Sequence, residues 1–259
     1  MIEPMSNDII IHSGFGVLTV TLNRLKRKNA LTSAMYGSIS DAIEKAASDG
    51  SVRAVVLQGH ETVFTAGHDI NDFADEPLDG SESHSGNLLN KIASFPKPLL
   101  ASVCGPAVGL GTTMLFHFDM VYAGDNAAFS MPFVNLGLCP EAGSSLLVPK
   151  LFGYHRAAEA LLLGEPFFAE DARDMGFVNR VVPAREANAY AQSVARKLAA
   201  KPLSSLVETK RLMRKGEQNI VENQRRQELQ VFRRLLAEPA AKEALSAFMD
   251  KRKPDFSNI

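Results

Sequence analysis

The chain has 259 residues, 46% of them hydrophobic and 22% charged, with a formal net charge of −1. Those figures allow one large domain with ample core, and they argue against a disordered chain and against a nucleic-acid binder relying on a broad basic face. Two cysteines, Cys104 and Cys139, are too few for a disulfide framework and lack metal-ligand spacing, so both are expected as small core residues and no metal site is expected. No run approaches the roughly 20 apolar residues of a membrane span. Residues 1–8 carry no apolar stretch of a secretory signal, and Ser257-Asn258-Ile259 is not a peroxisomal address, so a reducing cytoplasm is the expected location.

Residues 8–12 and 17–22 read as two strands around Gly14-Phe15-Gly16, a hairpin signal, with Leu18, Val20 and Leu22 on one buried face. Asn23-Arg24-Leu25-Lys26-Arg27-Lys28-Asn29 follows as a basic loop, either a solvated connection or an electrostatic clamp for a polyanionic ligand. Thr32 or Ser33 can cap a helix running to about residue 48, with Met35, Ile39, Ile43 and Ala46 on one face. The apolar run 53–59 predicts a buried strand, and Phe64-Thr65-Ala66-Gly67-His68-Asp69-Ile70 succeeds it as a small-residue turn. Backbone amides in such a turn are open to close approach and could hold a developing oxyanion. An ordinary βα turn explains the same residues. Residues 72–86 are acidic and rich in Ser, Gly and Pro, and are expected as a flap beside the turn or a surface excursion.

A short helix to residue 94 ends at Phe95-Pro96-Lys97-Pro98, because proline removes a donor and restricts the residue before it. The apolar strand 99–103 runs into Cys104-Gly105-Pro106-Ala107-Val108-Gly109-Leu110-Gly111, a second strand–turn–helix unit with the helix starting near Gly109. Its spacing matches neither a Walker A loop nor a dinucleotide fingerprint, which disfavours a phosphate cradle. A further strand is predicted at 119–123. Pro140 and Glu141 are placed at a helix start, where proline suits the first turn and an acid suits the dipole. That role alone accounts for Glu141. The surrounding Leu136, Leu138, Leu146, Leu147 and Val148 also imply a partly desolvated carboxylate of the kind that serves as a general base. Helical segments are expected at 157–163 and 169–175, then a strand at 178–182. The tail from 184 reads as helix broken at Pro202 and Pro239. Apolar stripes through Val207, Leu212 and Met213, and through Leu229, Phe232, Leu235 and Leu236, must cover the body or a neighbouring subunit.

The two turn units resemble the crotonase (enoyl-CoA hydratase/isomerase) superfamily over nearly the whole chain. The matching pieces include Asn23-Arg24, Lys28-Asn29-Ala30-Leu31, Phe64 to Ile70, Lys97-Pro98, Gly105 to Gly111, Asp119, Leu136-Gly137, Leu151-Phe152-Gly153, Ala169 with Ala172 and Gly176, and Lys210. The resemblance implies an α/β fold, a crotonase-like spiral of ββα units over residues 1–200, with a C-terminal helical region, 201–259, that builds trimers or hexamers. It implies an acyl-CoA thioester substrate, no separate cofactor because coenzyme A is part of the substrate, and no nucleic-acid partner. Carried over by position, the two oxyanion amides belong to Ala66 and Leu110. Arg24, Lys26 and Lys28 fall in the segment that meets the CoA phosphates and adenine. Gly67, His68, Asp69, Ile70 and Phe133 are carried over as further substrate-binding positions, with His68 expected to be structural or solvent-facing and Asp69 a turn and helix-start residue.

Hydratases of this family carry two glutamates that hold and activate water, and Thr113 and Phe133 stand at those positions here. Pro140-Glu141-Ala142-Gly143-Ser144-Ser145 instead resembles the peroxisomal-type Δ3,Δ2-enoyl-CoA isomerases, in which a single glutamate shuttles a proton. The expected activity is therefore double-bond isomerisation with Glu141 as the catalytic base. Hydration, another crotonase-type reaction, or a non-catalytic acyl-CoA-binding scaffold are the alternatives. A Ser-His-Asp hydrolase is disfavoured because no G-x-S-x-G elbow is present.

Overall fold

The computed structural model describes residues 8–73, 83–257 and 259. Strands β1 (Ile9–Gly14) and β2 (Val17–Leu22) form an antiparallel hairpin. Phe15 and Gly16 close it with φ of 53° and 75°, as a two-residue primed turn requires. Helix α1 (Ser33–Ser48) starts where Thr32 accepts the Met35 amide, and it buries Met35, Ile39, Ile43 and Ala46 as their spacing predicts. Then come β3 (Ala54–Gln58), α2 (Ile70–Phe73), α3 (His84–Ser94), β4 (Leu99–Val103), β5 (Pro106–Val108) and α4 (Leu110–Thr113). A 3₁₀ turn, Met114–His117, leads into β6 (Met120–Gly124) and β7 (Ala128–Ser130). They are followed by α5 (Ser144–Phe152), α6 (Tyr154–Ala158), a π-helical turn (Glu159–Leu163), β8 (Phe167–Phe168), α7 (Ala169–Asp174) and β9 (Arg180–Val182). The tail is α8 (Ala184–Ala199), α9 (Leu203–Arg214), α10 (Gln218–Leu236) and α11 (Pro239–Met249).

The strands make two layers. A six-stranded sheet has the order β1-β2-β3-β4-β6-β9 and is parallel from β2 onward; a three-stranded sheet has the order β5-β7-β8. The chain lays β4 in the large sheet and β5 in the small one, then β6 in the large and β7 in the small, which is the expected spiral of ββα units. Parallel strands covered on both faces read as unbroken apolar runs, and all five residues of β4 are buried. One face of the large sheet packs Val17, Ala54, Val56 and Leu100 against Ala191, Ala195 and Leu198 of α8. The other face packs Val55, Leu57, Leu99 and Ala101 against α1, α3 and the small sheet. Among the described residues no helix is long and apolar enough to cross a membrane.

Three expectations change. Helix α5 begins at Ser144 rather than Pro140, because Ala142 and Gly143 both adopt the left-handed region, with φ of 63° and 76°, and helix cannot run back through them. Strand β9 begins at Arg180, because the Phe177 and Val178 amides turn back to the Ala172 carbonyl and close α7. The acidic segment 72–86 contributes the end of α2 and the start of α3; its residues 74–82 lie outside the described residues.

The tail is tied to the body by a buried cation. Lys210 of α9 reaches the Lys97 carbonyl at 2.8 Å and Asp119 Oδ2 at 2.6 Å. Arg214 adds 3.1 Å to Asp119 Oδ1, and Asp119 also accepts the Leu99 amide at 2.8 Å. Burial is the main influence on Lys210 and lowers its pKa to about 8, so the Asp119 carboxylate is what keeps it charged. Asp119→Ala should strand that cation and cost about 3–5 kcal/mol in urea-induced unfolding, whereas the exposed pair Arg211–Glu208 should contribute under about 1 kcal/mol when broken.

Candidate active site

The first turn is built from its own backbone bonds. Asn29 is fully buried with φ of 54°, and its side chain donates to the Phe64 carbonyl at 2.9 Å while accepting the Arg24 amide at 2.7 Å. Asparagine tolerates the left-handed region better than most residues, which suits the Lys28-Asn29 corner. Thr65 Oγ1 donates to the Asn29 carbonyl at 2.6 Å and accepts the Gly67 amide at 3.1 Å. The Ala66 amide donates to the Lys28 carbonyl at 2.9 Å. That bond corrects the assignment of Ala66 as an oxyanion donor, since its single N–H is spent joining the basic loop to the turn.

Gly67 C=O and Asp69 N–H face Leu31, at 2.8 and 2.9 Å, forming the isolated parallel bridge Leu31↔His68. In such a bridge the intervening residue directs its own N–H and C=O to the opposite side, so the His68 amide points away from Leu31. The second turn lies against the first: Thr65 N–H donates to the Pro106 carbonyl and Val108 N–H to the Thr65 carbonyl, both at 3.0 Å. A Cβ on Gly67, whose φ is 85°, would meet the Val108 oxygen at 2.7 Å, which is why glycine is required here. Gly109 (φ 56°) caps α4, and Leu110 opens it with an amide that has no acceptor among the described residues.

Glu141 stands in the loop before α5 with its side chain 18% exposed, and its Oε1 lies 3.9 Å from His68 Nε2. His68 is not solvent-facing. Its side chain is 17% exposed, its Nδ1 is 2.8 Å from the Tyr36 hydroxyl, and the two rings stand 5.4 Å apart. Burial lowers the His68 pKa to about 4, so the imidazole is neutral near pH 7 and its contact with Glu141 is no ion pair. Thr113 and Phe133 are both buried, and Thr113 Oγ1 has no hydrogen-bond partner among the described residues. Glu141 is thus the carboxylate that faces His68 of the first turn, while Asp69 of that turn is bound to Arg24.

The Glu141 loop is held from behind by two groups that sequence reasoning missed. The His117 ring is 2.7 Å from the Ala142 carbonyl through Nε2, and burial lowers its pKa to about 4. Glu228 of α10, 5% exposed, accepts the Gly143 amide at 2.5 Å, the Ser145 amide at 2.8 Å and the Ser145 hydroxyl at 2.5 Å. Burial raises the Glu228 pKa, and these donors oppose that rise. A carboxylate at the first turn of α5 complements its unpaired amides. The readable signal for Glu228 was an acid on the apolar stripe of Phe232 and Leu235.

Arg24 is committed to the fold rather than offered to a ligand. Its Nη1 binds Asp69 Oδ2 at 2.6 Å and the Ala30 carbonyl at 3.0 Å. Asp69 also accepts the Asn71 amide at 3.1 Å, at the start of α2 before the half-buried Ile70. Burial works to raise the Asp69 pKa, but the Arg24 and Asn71 bonds outweigh it and the net shift is downward. Lys26 and Lys28 are exposed on the adjoining loop.

Residues 13–258 match the family described as enoyl-CoA hydratase/isomerase. The chain belongs to that family. It is 33% identical over 251 residues to 2,3-dehydroadipyl-CoA hydratase of Escherichia coli (strain K12), covering 96% of this chain and 98% of that one. It is 36% identical over 220 residues to enoyl-CoA delta isomerase 2 of Rattus norvegicus, covering 82% of this chain and 56% of that one. An enoyl-CoA hydratase/isomerase from Pseudoalteromonas atlantica T6c superposes with a TM-score of 0.92 at 35% identity, covering 97% of this chain and all of that one. The fold is the crotonase fold, and as an enoyl-CoA hydratase/isomerase family member the protein is an enzyme acting on acyl-CoA thioesters.

Two predictions concern the loop. Glu228→Gln turns an amide N–H toward either Gly143 or Ser145, whose own amides donate, so it should cost about 1–3 kcal/mol in chemical denaturation and reduce kcat as the Glu141 loop loosens. Burial holds the His117 pKa down at about 4, below its ordinary 6.5, so the unfolded chain takes up the proton first and stability falls as pH drops from about 6.5 toward 4, by up to about 3 kcal/mol. His68 acts in the same sense, and the raised Glu228 offsets part of it. Thermal midpoints measured from pH 7 to 4.5 should decline through that window, and His117→Gln should flatten the decline.

Proposed function

We propose that the enzyme is an acyl-CoA double-bond isomerase that converts a 3-enoyl-CoA to the 2-trans isomer. The observation that carries this reading is the placement of Glu141 beside His68 of the first turn, with Asp69 of that turn bound to Arg24 and with Thr113 and Phe133 buried at the two positions where hydratases carry glutamates. Glu141 removes a proton from C2, the electron pair delocalises onto the thioester oxygen and C4, and the same carboxyl returns the proton at C4. Nothing is added to the substrate, so one base suffices. Coenzyme A enters as part of the substrate, and no further cofactor takes part.

The dienolate oxygen is held by the Leu110 amide and, in place of Ala66, by the His68 amide, whose orientation away from Leu31 supports the reassignment. Each such donor contributes about 2.7–4 kcal/mol of transition-state stabilisation. Exposed Lys26 and Lys28 meet the CoA phosphates, since Arg24 is already paired with Asp69. Phe133 keeps water from the reacting carbons. Leu212, Met213, Ile220, Phe248 and Met249 remain exposed on the tail helices, which supports burial against other copies in a trimer or hexamer. Hydration is the second reading, favoured by the near full-length similarity to a hydratase.

Purified enzyme given trans-3-hexenoyl-CoA should form trans-2-hexenoyl-CoA, and Glu141→Gln should slow this by about 10²–10⁴-fold. With crotonyl-CoA it should form little 3-hydroxybutyryl-CoA. Hydration that survives in Glu141→Gln, or isomerisation unaffected by it, overturns the proposal.

A further inference from the structure

His68 has a second role to offer beyond its amide. Its side chain sits between the buried hydroxyl of Tyr36, 2.8 Å from Nδ1, and the carboxylate of Glu141, 3.9 Å from Nε2. The three groups come from three separate elements: Tyr36 from α1, His68 from the first turn, and Glu141 from the loop before α5. Tyr36 is 2% exposed and has its position set by the apolar face of α1, so the hydroxyl is a fixed point. A neutral imidazole carries one N–H, and the partner of one nitrogen decides which nitrogen bears it. When the Tyr36 hydroxyl donates to Nδ1, the proton stands on Nε2, on the side of Glu141.

We propose that His68 is a positioning residue for Glu141: Tyr36 holds its imidazole in the Nε2–H form, and Nε2–H donates to Glu141 Oε1, restraining the carboxylate that takes the substrate proton. The proposal rests on Glu141 being the base. At 3.9 Å the contact is longer than a hydrogen bond, and the proposal requires the carboxylate to turn toward Nε2 when substrate binds. Catalytic hydrogen bonds that are long without substrate tighten in the Michaelis complex. A single-base shuttle gains from such a restraint, because one oxygen must address C2 and then C4 without the carboxylate turning away. The relay also joins α1 to the site: any change at Tyr36 reaches Glu141 without touching substrate.

The test has a structural and a kinetic arm. Side-chain ¹⁵N NMR of the histidines in the substrate-free enzyme should place the His68 proton on Nε2, and Tyr36→Phe should shift population toward the Nδ1–H form. Glu141→Gln should move the Nε2 resonance. In kinetics with trans-3-hexenoyl-CoA, His68→Ala should lower kcat about tenfold to a hundredfold with KM changed less than about threefold. His68→Gln, which keeps an N–H near the Nε2 position, should recover most of the loss. A proton on Nδ1 in the wild type, an unchanged kcat in a folded His68→Ala, or a His68→Gln as impaired as His68→Ala overturns the proposal. If Glu141→Gln isomerises normally, the reading of Glu141 as base fails instead, and the resonances alone then decide whether the Tyr36–His68–Glu141 relay exists.

Discussion

The two turns are fastened to each other by backbone bonds, and the rest of the site depends on that fastening. Thr65 N–H reaches Pro106 and Val108 N–H reaches Thr65, at 3.0 Å each, while Gly67 leaves no room for a side chain between the turns. Consecutive strands of a parallel sheet end side by side, so a turn leaving β3 and a turn leaving β4 start as neighbours. The amides of Leu110 and His68 thereby belong to one rigid unit. In the proposed reaction, donors preorganised in this way need no rearrangement as charge develops, which is where their value lies.

Glu141 is positioned by a different principle. Its loop has two successive left-handed residues and no helix of its own, so neighbours must hold it. His117 takes the Ala142 carbonyl from one side, and Glu228 takes the Gly143 and Ser145 donors from another. The tail helices thus hold the Glu141 loop as well as covering the body. Glu228 reaches across 85 residues of sequence to do this, and Lys210 reaches across 91 to Asp119.

The difference between what could be read in the sequence and what could not follows the range of the interactions. The cap at Thr32 and the stripe Met35, Ile39, Ile43 are local, and α1 spans the expected segment, with Thr32 rather than Ser33 as its cap. The unbroken apolar runs placed β3 and β4, and the glycines after β4 placed α4. Leu110 rests on the family resemblance, and an amide with no acceptor among the described residues supports it. The Ala66 amide was misassigned because its direction is decided by the left-handed Lys28-Asn29 corner, which brings the Lys28 carbonyl to it. The start of α5 was misplaced because Pro140 and Glu141 carry helix-start chemistry while Ala142, a strong helix former, is held at positive φ by the loop's outside partners. Tyr36 left no signal beyond the apolar face of α1, and Arg24 gave no sign that Asp69 would claim it.

The central claim is that one carboxylate carries a proton from C2 to C4 beside a pair of backbone amides. Trans-3-hexenoyl-CoA doubly deuterated at C2, turned over in ordinary water, tests it most directly by mass and NMR analysis of the first product formed. A single-base shuttle predicts deuterium at C4 of trans-2-hexenoyl-CoA in the earliest turnovers. Only solvent hydrogen at C4 from the first turnover onward would contradict it.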